Sequence, residues 1–76
     1  MSEKITSIPA KDLIKVFKKF GFIVTRQKGS HVQMTKPGFR TIVIQESNSV
    51  PVFHILANIK TAGITREGYL QTLKDI

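Results

Sequence analysis

The stretch from Phe22 to Gln45 constrains the fold of this chain more than any other, because it alternates β-branched and aromatic runs with short turn signals. Phe22-Ile23-Val24-Thr25-Arg26-Gln27 is closed by Lys28-Gly29-Ser30, the run from His31 to Lys36 is closed by Pro37-Gly38, and Arg40-Thr41-Ile42-Val43-Ile44-Gln45 follows. Turns this short join neighbouring strands, so the three runs are predicted to form an antiparallel meander. Strand alternation then places Phe22, Val24, Val32 and Met34 on one face, packed against helices. His31, Gln33 and Thr35 fall on the opposite, open face, which leaves His31 accessible.

Helical periodicity flanks the meander on both sides. Ser7 is a candidate cap, Pro9 suits a first turn where its missing N–H costs nothing, and Leu13, Ile14, Phe17 and Phe20 supply an apolar stripe that Gly21 ends. Lys11, Lys15, Lys18 and Lys19 fall largely off that stripe and predict a basic, solvated flank. After the polar loop Glu46-Ser47-Asn48-Ser49, helical spacing returns with Val52, Ile55, Leu56 and Ile59, with Ser49 as cap and Gly63 as stop. A short last helix follows, capped by Thr65, stapled by Ile64 and Tyr69, and buried through Leu70 and Leu73. His54 lies off its helix's apolar stripe and has no carboxylate or second histidine at ligand spacing, so it reads as an exposed histidine without a chemical role. The expected fold is α+β: α-β-β-β-α with a three-stranded antiparallel sheet and a short C-terminal helix, as in the double-stranded-RNA-binding domain.

Seventy-six residues without Cys, Trp or an internal repeat hold one small domain, read as residues 1–76 with 1–7 as a flexible lead. Such a core leaves on the order of 3–5 kcal/mol of net stability. The absence of cysteine excludes a disulfide framework and thiolate metal sites. No apolar run approaches the roughly 20 residues that span a bilayer, and the reading is a soluble, cytoplasmic protein with no membrane contact.

The net charge is +7, and its placement says more than its size. Between Leu13 and Gln45 there is no acidic residue, while Lys15, Lys18, Lys19, Arg26, Lys28, Lys36 and Arg40 carry the whole excess. A one-sided field of this kind attracts polyanions, of which nucleic acid is the most abundant, with an acidic protein surface as the competing partner. Within that interval His31 is the one side chain whose unperturbed titration lies near neutral pH, and it stands at a tight turn beside Arg26 and Lys28.

That combination suits phosphodiester chemistry. Internal cleavage of RNA requires a ribose 2′-OH to lose its proton as it attacks phosphorus, the pentacoordinate charge to be stabilised, and the 5′-oxygen to gain a proton as it leaves. His31 can perform one of those transfers. Arg26 and Lys28 can stabilise phosphate charge, the amides of Gly29 and Ser30 can hydrogen-bond to its oxygens, and Lys36 and Arg40 extend the RNA-binding set. No cluster of carboxylates or histidines offers a metal site, so neither metal nor cofactor is expected.

Four segments together resemble the HicA family of mRNA interferase toxins: Lys18 to Phe22, Arg26 to His31, Arg40 to Ile44 and Lys60 to Glu67. The resemblance runs from about Pro9 to Leu73, and its Gly-Ser-His element gains specificity from its position after the first strand. It implies a toxin of a type II toxin–antitoxin pair, an endoribonuclease acting on mRNA without the ribosome, silenced by a HicB-like antitoxin. It also implies that His31 is catalytic. Two other classes stay open on the residues alone: a non-catalytic module that binds double-stranded RNA through phosphates and 2′-hydroxyls, and an interaction protein docking an acidic partner.

Overall fold

A computed structural model describes residues 4–76. Its elements are α1 (Ala10–Lys19), β1 (Ile23–Lys28), β2 (His31–Thr35), β3 (Ile42–Gln45), α2 (Val52–Thr61) and α3 (Arg66–Lys74). The strands form one antiparallel sheet in the order β1-β2-β3, so the meander and the α-β-β-β-α order are both present. The helices cover one face of it. Val32, Met34, Ile42 and Ile44 of the sheet meet Leu13, Val16 and Phe17 of α1, Ile55 and Ile59 of α2 and Tyr69 of α3 in a single apolar core.

The ends of α1 show how local sequence sets the geometry. Gly21, at φ +95°, lets the amide of Phe22 donate to Phe17 O at 3.1 Å and its own amide to Lys18 O at 3.0 Å. This is a Schellman stop, and the Phe17 and Phe22 rings complete it edge to face at 5.9 Å. The N-terminal cap differs from expectation. Pro9, not Ser7, occupies the cap position without a side-chain bond, and the amide of Ala10 donates instead to Ser47 O at 3.0 Å. The loop after β3 therefore does what a capping hydroxyl would do.

Similar substitutions occur elsewhere. Pro51 rather than Ser49 precedes α2, again without a side-chain cap, while Gly63 stops that helix as expected. Leu56, placed by its spacing on the buried stripe, is 43% exposed, because α2 packs through Ile55 and Ile59, with Val52 half-buried beside them. In α3 the cap is as read, with Thr65 Oγ1 accepting from the amide of Gly68 at 3.0 Å. The buried side chain of that helix is Tyr69, however, and Leu70 and Leu73 are only half-buried against the core. Of the lead read as residues 1–7, residues 1–3 lie outside the described residues and Ile5 is buried; just beyond it Ile8 bridges to Val50. No helix among the described residues is long and apolar enough to cross a membrane.

Candidate nucleic-acid interface

β1 is an edge strand and is exposed along its whole length. Strict alternation would place Val24, Arg26 and Lys28 on one face, the face taken by Phe22. The structure breaks that parity. Val24 pairs with Met34, the next pair is Arg26 with Gln33, and Thr25 is left over as a β-bulge. From Arg26 onward the strand is shifted by one residue relative to alternation, so Arg26 stands opposite Gln33 and Lys28 opposite His31. Both cations thereby join the open face on which His31 and Gln33 lie. Val24, expected to be packed under the helices, keeps its pairing with Met34 but is 40% exposed at the rim of the sheet.

The result is a shallow cleft of about 310 Å³ lined by Arg26, Lys28, His31, Gln33 and Val43. Gln33 and Val43 complete the floor, since Gln33 pairs with Val43 as His31 pairs with Gln45. Gln33 was legible as an open-face residue from alternation, but no motif marked it. Val43 enters only through the register of β3.

The turn that carries His31 is held on both sides. Lys28 and His31 are paired, and Gly29, at φ +59°, is the only central residue with a positive φ, the pattern of a type II′ hairpin turn. The amide of Glu46 donates to Ser30 O at 2.6 Å, and Gln27 Nε2 donates to Glu46 Oε1 at 2.8 Å. These bonds fix the hairpin to the end of β3. The side chains of Arg26 and Lys28 have no hydrogen-bond or ion-pair partner among the described residues, so their donors are available to an anion.

Lys36 and Arg40 sit elsewhere. Lys36 follows the far end of β2, its Nζ lying 4.5 Å from the Phe39 ring centroid and 5.8 Å from that of Phe22, and its stem crosses Gly21. It acts as a cation over an aromatic pair. Arg40 is exposed in the segment between β2 and β3. His54 is exposed on α2 with its ring 4.4 Å from that of Phe53. No group of three or more His, Cys, Asp or Glu among the described residues could hold a metal ion. A larger hollow of about 460 Å³ at the start of α1 is lined by Pro9, Ala10, Lys11, Glu46, Ser47 and Asn48, but its helix amide is already bonded to Ser47 O.

One family model matches this chain, the HicA toxin of bacterial toxin–antitoxin systems, over residues 10–64. The chain belongs to the HicA toxin family. The matched segment contains α1, the whole sheet, α2 and all five residues lining the cleft. No match was found among curated proteins or among solved structures. Membership makes the chain a toxin of a toxin–antitoxin system and implies an antitoxin partner.

Proposed function

We propose that this toxin is an mRNA interferase, an endoribonuclease in which His31 is the single proton-transfer group. The observation that supports it most is the bulge at Thr25, which turns Arg26 and Lys28 onto the face of His31 and gives one imidazole two unpaired cations beside it. A phosphodiester seated between Arg26 and Lys28 has its negative oxygens neutralised by charge-assisted hydrogen bonds. Attack of the adjacent 2′-oxygen forms the new P–O bond and releases the hydroxyl proton. Departure of the 5′-oxygen breaks the old bond and takes up a proton. His31 serves one of these transfers and water the other, leaving a 2′,3′-cyclic phosphate and a 5′-hydroxyl. Gly29 and Ser30 position the imidazole, and their amides lie at the turn that faces the phosphate.

General acid–base help from one group contributes roughly 10²–10⁴-fold, so a slow enzyme is expected, sufficient for a toxin whose target is long single-stranded RNA. Lys36 and Arg40, remote from the cleft, contribute only to the long-range field. The partner is a HicB-like antitoxin whose acidic residues cover Arg26, Lys28 and His31, and its association slows as salt rises.

The test is His31→Ala in purified protein, with cleavage of a transcript and RNA binding measured side by side. Cleavage and growth arrest are expected to be lost while RNA affinity stays within a few fold. Wild-type cleavage by the variant overturns the assignment of His31. Binding without any cleavage by the wild type returns the chain to the class of non-catalytic RNA-binding modules.

A further inference from the structure

The excess charge is not all at the cleft. On α1, Lys11, Lys15 and Lys18 are spaced four and three residues apart, with Lys19 beside them, and all four are exposed. At roughly 100° per residue the first three fall within about 60° of one another, diametrically opposite the stripe that buries Leu13 and Phe17. At about 1.5 Å per residue they form a ridge about 10.5 Å long. None of the four side chains has a hydrogen-bond or ion-pair partner among the described residues. The nearest acids are Asp12, half-buried in the first turn of α1, Glu46, which shares the hollow at the start of α1 with Lys11 and accepts from Gln27 Nε2, and Glu67 in the first turn of α3, which packs on α1. Like charges at this spacing weaken a helix. A polyanion laid along the ridge removes that repulsion.

The ridge lies on the helix-covered side of the sheet, whereas the cleft of Arg26, Lys28 and His31 is on the open side. One phosphate cannot touch both. The shortest extent of the molecule is 20 Å, however, a distance that a single strand can round within several nucleotides. No large apolar side chain on the exposed face of α1 offers the buried anchor that a protein partner would need, whereas a row of ammonium groups suits a phosphate backbone read without regard to sequence. We propose that the Lys11, Lys15 and Lys18 ridge of α1 is a second RNA-backbone contact, which holds a long single strand while the distant cleft engages another part of it. This rests on the RNA reading above and adds to it a preference for long over short substrates, since tethering at one contact raises the effective concentration at the other.

The experiment uses the full chain with His31→Ala, so that substrate is bound but not cut, and single-stranded RNAs of about 5 and about 25 nucleotides, bracketing the footprint of a small domain. Wild-type ridge protein is expected to bind the long RNA at least tenfold more tightly than the short one. Lys11→Gln, Lys15→Gln and Lys18→Gln together should weaken the long complex by about tenfold or more at about 0.1 M salt and lower its salt slope by about 2. Affinity for the short RNA should hold within about twofold, because its contacts are at the cleft. The same three positions changed to Arg keep the charge and should keep the long-RNA affinity. Equal loss for both lengths would mean a diffuse field rather than a contact, and no loss for the long RNA would mean no contact; either overturns the inference. So does a Gln variant that keeps RNA affinity but loses antitoxin binding, which would make the ridge a protein-docking face. If the protein binds neither RNA, it is the RNA reading itself that fails.

Discussion

Two single-residue deletions in β1 isolate what the bulge does. Deleting Thr25 removes the extra residue and leaves a continuous ladder in which Val24 still faces Met34, Arg26 faces Gln33 and Lys28 faces His31. Deleting Gln27 shortens the strand equally, but with Lys28 held opposite His31 by the turn, Arg26 moves opposite Val32 and Thr25 takes its place opposite Gln33. Only the second deletion carries Arg26 off the open face. A hydrogen bond from a charged donor is worth about 1.5–3 kcal/mol, and the exposure of Arg26 argues for the low end of that range. At about 1.4 kcal/mol per decade, loss of the Arg26 contact weakens RNA binding by about tenfold. The salt slope should fall by about 0.7 at the same time. Deleting Gln27 also removes the 2.8 Å bond to Glu46, so Gln27→Ala is the control that loses the bond and keeps the face. Fluorescence anisotropy with a labelled single-stranded RNA, in the His31→Ala background, reads all three. The expected order is wild type, Thr25 deletion and Gln27→Ala grouped together, with the Gln27 deletion about tenfold weaker. Equal affinities for the two deletions, with folding verified by urea titration, would refute the argument that register delivers Arg26 to the site.

Other consequences follow from single groups. Lys28→Ala should weaken both RNA binding and cleavage, because the charge acts on ground and transition states alike, and initial rates with binding isotherms separate this from His31→Ala. Cleavage should persist in EDTA, since no group of three or more His, Cys, Asp or Glu among the described residues could hold a metal ion; abolition by the chelator would point to a different active site. The hydroxyl of Tyr69 is buried without a hydrogen-bond partner among the described residues, and leaving such a group unsatisfied costs about 1–3 kcal/mol. Tyr69→Phe should therefore raise stability by about 1 kcal/mol, read as a higher urea midpoint at unchanged slope. Burial also pushes the Tyr69 hydroxyl up from 10.0 to about 12, so its neutral form is favoured in the fold. That contribution is intact below pH 10 and is lost as pH rises towards 12, so wild type should lose stability more steeply than Tyr69→Phe across that window, by up to about 3 kcal/mol. Gly21→Ala should cost about 1–2 kcal/mol, because alanine is strained at φ +95° and its Cβ would meet Lys36 Cε at 3.3 Å.

Much of this was local and therefore legible in order along the chain. Gly21 and Gly63 end helices because an L-residue resists the positive φ that a Schellman stop needs, and Thr65 caps α3 with its own hydroxyl. Gly29 and Pro37-Gly38 fix the two turns, so the meander and its antiparallel sense required no knowledge of the core. His31 was placed on the open face by alternation within β2, where pairing is regular. Its neighbours Arg26 and Lys28 were near in sequence, but strict alternation put them on the wrong face.

Tertiary structure decided what depends on partners distant in the chain. A bulge is a mismatch between two strands, so Thr25 carries no mark of it until β1 is laid against β2. Helix caps at Ser7 and Ser49 were written plausibly in the sequence, yet the amide of Ala10 found Ser47 O instead, because folding brought the loop after β3 against α1. Leu56 has the spacing of a core residue, but the width of the buried face of α2 is set by the elements it meets. Sequence alone thus supplied the elements, the hairpin and the histidine, each fixed by backbone chemistry within a few residues. Register between strands supplied the two cations beside it, because the face on which a strand residue stands is a property of the pair and not of the strand.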